Sequence, residues 1–173
     1  MTSLGIRLAC LAACLCLATG SAGAETAAAI FDFDFTDTSL EASPSSVRPD
    51  EARRLVLAAD RLRELLREAG IAAVDLGPAR DRIERARPLR ACNGCEAEVA
   101  RELGAALAVT GMVHKVSNLI LTVDVMIRDA RTGAVLRTGR ADIRGNTDES
   151  WLRGVGYVVR NRLLDPPLAA VEP

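Results

Sequence analysis

The chain has 173 residues, with 22 Lys and Arg against 23 Asp and Glu, 49% hydrophobic residues and 3% aromatic residues. This composition excludes a disordered or collagen-like protein, and a formal net charge of -1 excludes a strongly basic nucleic-acid-binding protein. The length suits one modest domain.

The chain begins with the pattern of a secretory signal peptide. Arg7 precedes an apolar run over residues 8–18, and small residues follow at a cleavage site. Residues 1–24 are therefore predicted to be removed, which leaves residues 25–173 as a single domain in the bacterial periplasm. The alternative is a lipid anchor, because Cys14 follows a lipobox-like sequence. We expect no membrane span, since no run reaches the roughly 20 apolar residues that a bilayer requires.

Residues 27–35 are predicted to form the first strand. Phe31, Phe33 and Phe35 alternate with polar residues, which places the three rings on one face. These are all the phenylalanines of the chain, so this strand is expected to supply the largest side chains of the core. Residues 36–48 then form a long polar loop, which is typical of a lid or a contact loop.

Three carboxylates at the end of this strand form a candidate site for a ligand or a cation. Asp32, Asp34 and Asp37 lie where the carboxyl edge of a parallel strand is open to a ligand. The alternative is that the first two pair with arginines or face water, and that Asp37 starts a turn.

The rest of the chain alternates helical and strand patterns. Pro49 begins an amphipathic helix that Gly70 ends. The remaining predicted elements are a strand at 71–76 parallel to the first, helices at 79–87 and 96–103, strands at 107–113, 119–128 and 134–143, and a helix capped by Asn146 with Glu149 as reciprocal partner. The order β-α-β-α-β-β-β-α predicts an α/β fold with a mixed sheet and helices packed on it. Residues 166–173 are expected to fray.

The strand at 119–128 alternates clearly between its two faces. One face is expected to be buried and carries Leu119, Leu121, Val123, Val125 and Ile127. The other face is expected to contact water and carries Thr122, Asp124 and Arg128.

Two cysteines remain after removal of the leader, Cys92 and Cys95. In an oxidising compartment this pair is expected to form a local disulfide. A pair at the start of a helix also suits thiol redox chemistry, and a zinc site would need His114 and a carboxylate as further ligands. We expect the structural disulfide, with no resident metal and no cofactor.

The run from Thr110 to Leu121, together with residues 129–133 and 142–151, resembles a family of small exported bacterial proteins of unknown function. The resemblance includes the strand at 31–33 and the segment from Cys92 to Cys95, and covers nearly all of the mature chain. This family is similar in fold to the N-terminal domain of TolB and to the periplasmic domain of the curli secretion channel. The resemblance implies a protein-interaction module, and members are encoded near alcohol oxidation systems that use pyrroloquinoline quinone.

Taken together, these patterns favour a non-catalytic adaptor or assembly accessory that binds a periplasmic protein and no nucleic acid. Trp151, Asn118 and Arg131 are candidate interface residues, although a buried Trp151 would instead close the core. The alternative is a small thiol-redox or metal-handling protein that uses Cys92 and Cys95.

Overall fold

The computed structural model describes residues 25–42 and 47–168. The predicted signal peptide, the candidate anchor at Cys14 and the tail from residue 169 onward lie outside these residues. No helix within them has the length and apolar character that crossing a membrane requires.

The elements follow the predicted order, except that the first strand is divided in two. The strands are β1 (Thr26–Ile30), β2 (Asp34–Asp37), β3 (Ile71–Ala73), β4 (Leu107–Lys115), β5 (Ile120–Asp129) and β6 (Val135–Arg144). The helices are α1 (Pro49–Glu68), α2 (Arg80–Ala86), α3 (Cys95–Glu102) and α4 (Asp148–Val158), and a π-helix, Val159–Leu163, continues α4.

The strands form one mixed sheet in the order β3-β1-β4-β5-β6, with β2 also beside β4. β1 runs parallel to both β3 and β4, as the predicted crossover connections require. β4, β5 and β6 form an antiparallel meander. The predicted α/β class with a mixed sheet is confirmed.

Each face of the sheet has its own apolar core. The apolar stripes of α1 and α4 cover one face, where Leu62, Leu66 and Val155 pack on the strands. α2 and α3 cover part of the other face, with Ile83 and Val99 directed inward. Because α3 contacts β1 and β4, and α2 packs on α3, this second layer lies on the β1–β4 side of the sheet, away from β6.

The prediction that three phenylalanines share one face is wrong. Ile30 lies opposite Val109 and Asp34 lies opposite Met112, so the chain between β1 and β2 contains one residue more than β4 does. A one-residue insertion reverses the side-chain alternation beyond it. Phe31 therefore packs in the core beneath α2 and α3. Phe33 packs in the core beneath α1 and α4, and the partly buried Phe35 packs against that same core.

Two details of β5 also differ from the prediction. Leu119 lies in the turn before the strand and is 72% exposed. The face expected to be wet is partly covered, since Asp124 and Met126 are buried. Arg140 of β6 donates to Asp124 Oδ1 at 2.7 Å, and Arg90 lies over the same carboxylate at 3.7 Å.

Thr147, and not Asn146, caps α4. The hydroxyl of Thr147 accepts a hydrogen bond from the Ser150 amide at 3.3 Å. The Asn146 side chain is occupied by other partners, and Glu149 forms an ion pair with Arg153 instead of a reciprocal cap. The residue that caps α4 is therefore one position later in the chain than predicted.

Candidate interaction surface

The carboxylates of the candidate ligand site do not converge on one point. Each pairs with a cation from a different element: Asp32 with Arg63, Asp34 with Arg87, and Asp37 with Lys115. The second oxygen of the buried Asp34 also accepts the Leu89 amide at 2.7 Å. Asp37 Oδ1 also accepts the Ser39 amide at 2.8 Å, a contact that starts a turn. The arrangement therefore corresponds to the alternative, in which Asp32 and Asp34 pair with arginines and Asp37 starts a turn.

Asp32 also lines an open crevice of about 580 Å³ at the carboxyl ends of β1 and β3. The charged lining residues are Arg63, Arg80 and Arg87 together with Asp32, Asp75 and Glu84. Because the positive and negative groups balance, the crevice shows no charge preference for a ligand.

Cys92 and Cys95 form the predicted disulfide, at the start of α3. Both residues pack on the core beneath α2 and α3. The two sulfur atoms and a carboxylate oxygen of the buried Glu96 lie within 4.8 Å of one another, a group that does not include His114. His114 Nε2 lies 2.8 Å from the Thr38 hydroxyl instead.

The three candidate interface residues lie in three different environments. Trp151 is 1% exposed and stacks on Phe35 with ring centroids 6.2 Å apart, so it closes the core and is not an exposed anchor. Asn118 lies in the β4–β5 turn and donates to Glu41. Arg131 lies in the β5–β6 turn at the opposite end of β5, so the three residues do not share one surface.

A buried polar network under α1 was not predicted from the sequence. Lys115 is fully buried, and its ammonium group donates to Glu51 Oε1 at 2.8 Å and to Asp37 Oδ2 at 3.1 Å. The Asn146 amide donates to the same Glu51 oxygen at 2.8 Å and accepts from Trp151 Nε1 at 2.9 Å. Burial opposes the charge on Lys115, but the hydrogen bonds to both carboxylates leave its pKa raised. The network joins α1, β2, β4 and the start of α4.

β6 is a ten-residue strand at the edge of the sheet, and in the described part of the chain it pairs only with β5. An edge strand presents unpaired backbone groups to any chain that lies alongside it. The length of β6 distinguishes it from the other edge, β3, which has three residues.

The β5–β6 ladder determines which backbone groups of β6 face outward. The Gly145 amide donates to the Leu119 carbonyl at 3.2 Å, next to the Ile120–Arg144 pair. Hydrogen-bonded and non-hydrogen-bonded positions alternate along an antiparallel ladder. Amide and carbonyl groups therefore point away from β5 at Thr138, Arg140, Asp142 and Arg144. Of these, the Arg144 carbonyl accepts the Ser150 hydroxyl of α4 at 2.9 Å.

α4 provides a groove directly beside this edge. Ser150, Arg153, Gly154 and Tyr157 recur at spacings of three and four, so they form one stripe along the helix. This stripe, residues 140–144 of β6 and the following Arg162 line an open groove of about 570 Å³.

Two glycines let the helical segment approach β6 closely enough to shape this groove. A Cβ atom on Gly154 would lie 2.5 Å from Ile143 Cγ2, and one on Gly139 would lie 2.8 Å from Val158 Cγ1. Both distances are shorter than carbon atoms tolerate, so larger residues at either position would push α4 away from the sheet.

The groove has an excess of positive charge. Its lining includes Arg140, Arg144, Arg153 and Arg162 but only one carboxylate, that of Asp142. In residues 25–42 and 47–168, Arg144 and Arg162 have no carboxylate within 4.0 Å. The Arg162 guanidinium lies 5.7 Å from the centre of the Tyr157 ring, which is 43% exposed. The surface is therefore basic, with one accessible aromatic ring.

Comparison with protein families finds a match over residues 26–163 to DUF3280, described as "Protein of unknown function (DUF2380)". No curated protein matches the chain significantly. The likeness to the TolB domain and to the curli channel domain stays a prediction.

Solved structures of low sequence identity are also similar to the chain. The PelC dodecamer from Paraburkholderia phytofirmans has a TM-score of 0.49 at 14% identity, covering 78% of this chain and 84% of that chain. Lipoprotein GNA1162 from Neisseria meningitidis has a TM-score of 0.49 at 17% identity, with coverage of 84% and 99%. The LpoB C-terminal domain from Salmonella enterica has a TM-score of 0.47 at 13% identity, with coverage of 72% and 87%. At these scores the similarities carry no inference about function.

Proposed function

The chain belongs to the DUF3280 family, whose function is unknown, and we propose that it is a non-catalytic protein-interaction module, an adaptor or assembly accessory. It holds a protein partner on the surface formed by β6 and α4. The observation that carries this proposal is a ten-residue open strand edge directly beside a groove of about 570 Å³. A strand edge supplies backbone hydrogen bonds, and an adjacent groove receives the side chains of the partner.

We assign this activity to the periplasm. Two features support the assignment: the signal-peptide pattern of residues 1–24 and the Cys92–Cys95 disulfide, a bond that persists in oxidising compartments. The resemblance to proteins encoded near alcohol oxidation systems that use pyrroloquinoline quinone adds one class of partner, a component of such a system.

Site-specific photocross-linking in the native host tests the proposal. A photoreactive amino acid replaces Thr138 or Asp142 on the open edge, and Arg85, exposed on α2, is the matched control position. We expect both edge positions to capture the same stoichiometric partner, and Arg85 to capture none of it. Equal capture from all three positions, or no capture at the edge, would contradict the proposal.

The second candidate function is thiol redox or metal handling at Cys92 and Cys95. Its support is the proximity of the two sulfur atoms to the Glu96 carboxylate, since reduction by a dithiol would leave two thiolate ligands beside an oxygen ligand. Thiol titration and metal analysis of protein taken from its own periplasm distinguish the two functions. A reduced, metal-loaded pair supports handling of a metal, whereas an oxidised, metal-free pair supports a structural disulfide.

The same cross-linking experiment can be repeated with Cys92→Ser and Cys95→Ser combined. An interaction module loses some stability but keeps its partner, because the disulfide lies on a different element from the β6 edge. A redox protein keeps its fold and loses its clients.

A further inference from the structure

We infer that the segment held on β6 is an extended acidic peptide segment that adds to the sheet as a further strand. This inference rests on the proposed function and specifies the chemistry of the partner.

The backbone of β6 is arranged for strand addition. The amides of Thr138, Arg140, Asp142 and Arg144 and the carbonyls of the first three point outward at alternate positions, which is the pattern that an added strand requires. The Arg144 carbonyl accepts the Ser150 hydroxyl at 2.9 Å instead. At about 3.3 Å per residue, a partner segment of roughly seven residues covers this stretch. An added strand lies about 4.8 Å beyond β6, beside the groove.

The side chains of an added strand would meet arginines on both of its faces. Side chains on one face would contact the α4 stripe, where Arg153, Tyr157 and the following Arg162 lie. Side chains on the other face would lie next to Arg140 and Arg144, which are exposed on β6. Carboxylates therefore fit both faces, and an apolar side chain fits beside the Tyr157 ring.

Two of these arginines are available without breaking an existing ion pair. Arg140 is held by Asp124 and Arg153 by Glu149, whereas Arg144 and Arg162 have no carboxylate partner in the described residues. A carboxylate can bind a guanidinium group through two parallel hydrogen bonds. An acidic segment therefore supplies the counter-charges that this surface lacks.

The same charges disfavour a second copy of this chain as the occupant. Pairing of two identical edges would bring together two surfaces that each carry four arginines and one carboxylate, and this excess of like charge opposes it. Anionic surfaces such as membranes and nucleic acids also attract arginine, but they have no peptide backbone whose amides and carbonyls could pair with those of β6. The outward backbone pattern therefore favours a peptide strand over both.

The test uses a fluorescent peptide of about eight residues that alternates Val and Glu, with a Val and Lys peptide as the control for charge. Binding to the mature protein is followed by fluorescence anisotropy. The charge variant is Arg144→Glu with Arg162→Glu, and the matched control is Arg85→Glu on α2. We expect the acidic peptide alone to bind, the charge variant to weaken it at least tenfold, and Arg85→Glu to leave it unchanged.

A second pair of variants tests strand addition itself. Asp142→Pro removes an outward amide without removing a bond to β5, and Asp142→Ala keeps that amide while removing the same carboxylate. We expect at least tenfold weaker binding with proline, and unchanged or tighter binding with alanine. If circular dichroism shows that the proline variant is unfolded, an acidic peptide N-methylated at alternate residues tests the same hydrogen bonds on the unaltered protein.

The outcomes separate this inference from the proposed function. Equal binding of the two peptides, equal effects of the two Asp142 variants, or tighter binding to anionic vesicles or single-stranded DNA would overturn the acidic strand. A partner cross-linked at β6 through a non-acidic segment would also overturn it, while leaving the proposed function intact. Absence of any cross-link at β6 contradicts the proposed function itself.

Discussion

The buried pair of Lys115 and Glu51 allows a quantitative test of the fold. Lys115→Met removes the ammonium group and leaves Glu51, which is 1% exposed, with the Asn146 amide as its remaining donor in the described residues. Removing one partner of a buried ion pair costs about 3–5 kcal/mol, because the other charge stays buried without compensation. We expect a loss of that size in the free energy of unfolding.

A second substitution shows whether the buried charge causes this loss. Glu51→Gln, added to Lys115→Met, removes the uncompensated carboxylate and keeps an oxygen that can accept from Asn146. The double variant is expected to recover about 1–3 kcal/mol relative to Lys115→Met alone.

Urea unfolding of the mature protein at pH 7, followed by circular dichroism, measures all the variants. Glu51→Gln alone completes the cycle. A loss below about 1 kcal/mol for Lys115→Met, or a double variant no more stable than the single one, would refute the reasoning about the buried charge.

Three further predictions concern packing, the disulfide and pH. Gly111→Ala is expected to destabilise the protein by about 1–3 kcal/mol in urea, because its Cβ atom would lie 2.5 Å from the Phe33 ring; unchanged stability would contradict that contact. Cys92→Ser combined with Cys95→Ser is expected to lower the free energy of unfolding by about 2 kcal/mol, because the disulfide closes a very short loop. A variant as stable as the parent would show that the disulfide contributes nothing to stability. Hydrogen bonds from two α1 arginines hold the pKa of Asp148 below its ordinary value, so its contribution is present above about pH 4 and is lost as the pH falls through its folded pKa. Asp148→Asn should therefore reduce the drop in melting temperature between neutral and acidic pH, and an unchanged drop would contradict this.

The sequence predicts elements well where the periodicity is uninterrupted. The stripe that includes Leu62 and Leu66 predicts α1, and the alternation from Leu121 to Ile127 predicts the buried face of β5. Both patterns arise from local chain geometry, which a single sequence contains.

The first strand was predicted incorrectly because its side-chain directions depend on another strand. The extra residue between β1 and β2 is defined only by pairing with β4, and the Phe33 ring needs the space left by Gly111. Strict alternation through Phe31 and Phe35 does not show such an insertion.

The buried network had one signal in the sequence. Lys115 is the only lysine of the chain and ends an apolar strand, whereas all the other Lys and Arg positions are arginine. That pattern marks an unusual position, but it does not identify Glu51, which lies far away along the chain and meets Lys115 only through the packing of α1.

The basic groove was not predictable for a related reason. The alternation along β6 identifies its faces, but its position at the edge of the sheet depends on the order of all the strands. The groove further requires Gly139 and Gly154 to admit α4, a role that is visible only once the helix is packed.

Amide hydrogen exchange along β6, measured by NMR with and without the cross-linked partner, tests most directly whether this edge is the binding surface. In the free protein we expect fast exchange at the outward amides of Arg140, Asp142 and Arg144, and slow exchange at the inward amides of Ala141 and Ile143. Partner binding should slow exchange at the outward amides and leave the inward ones unchanged. Outward amides that exchange equally fast in the complex would contradict the binding of a partner along β6.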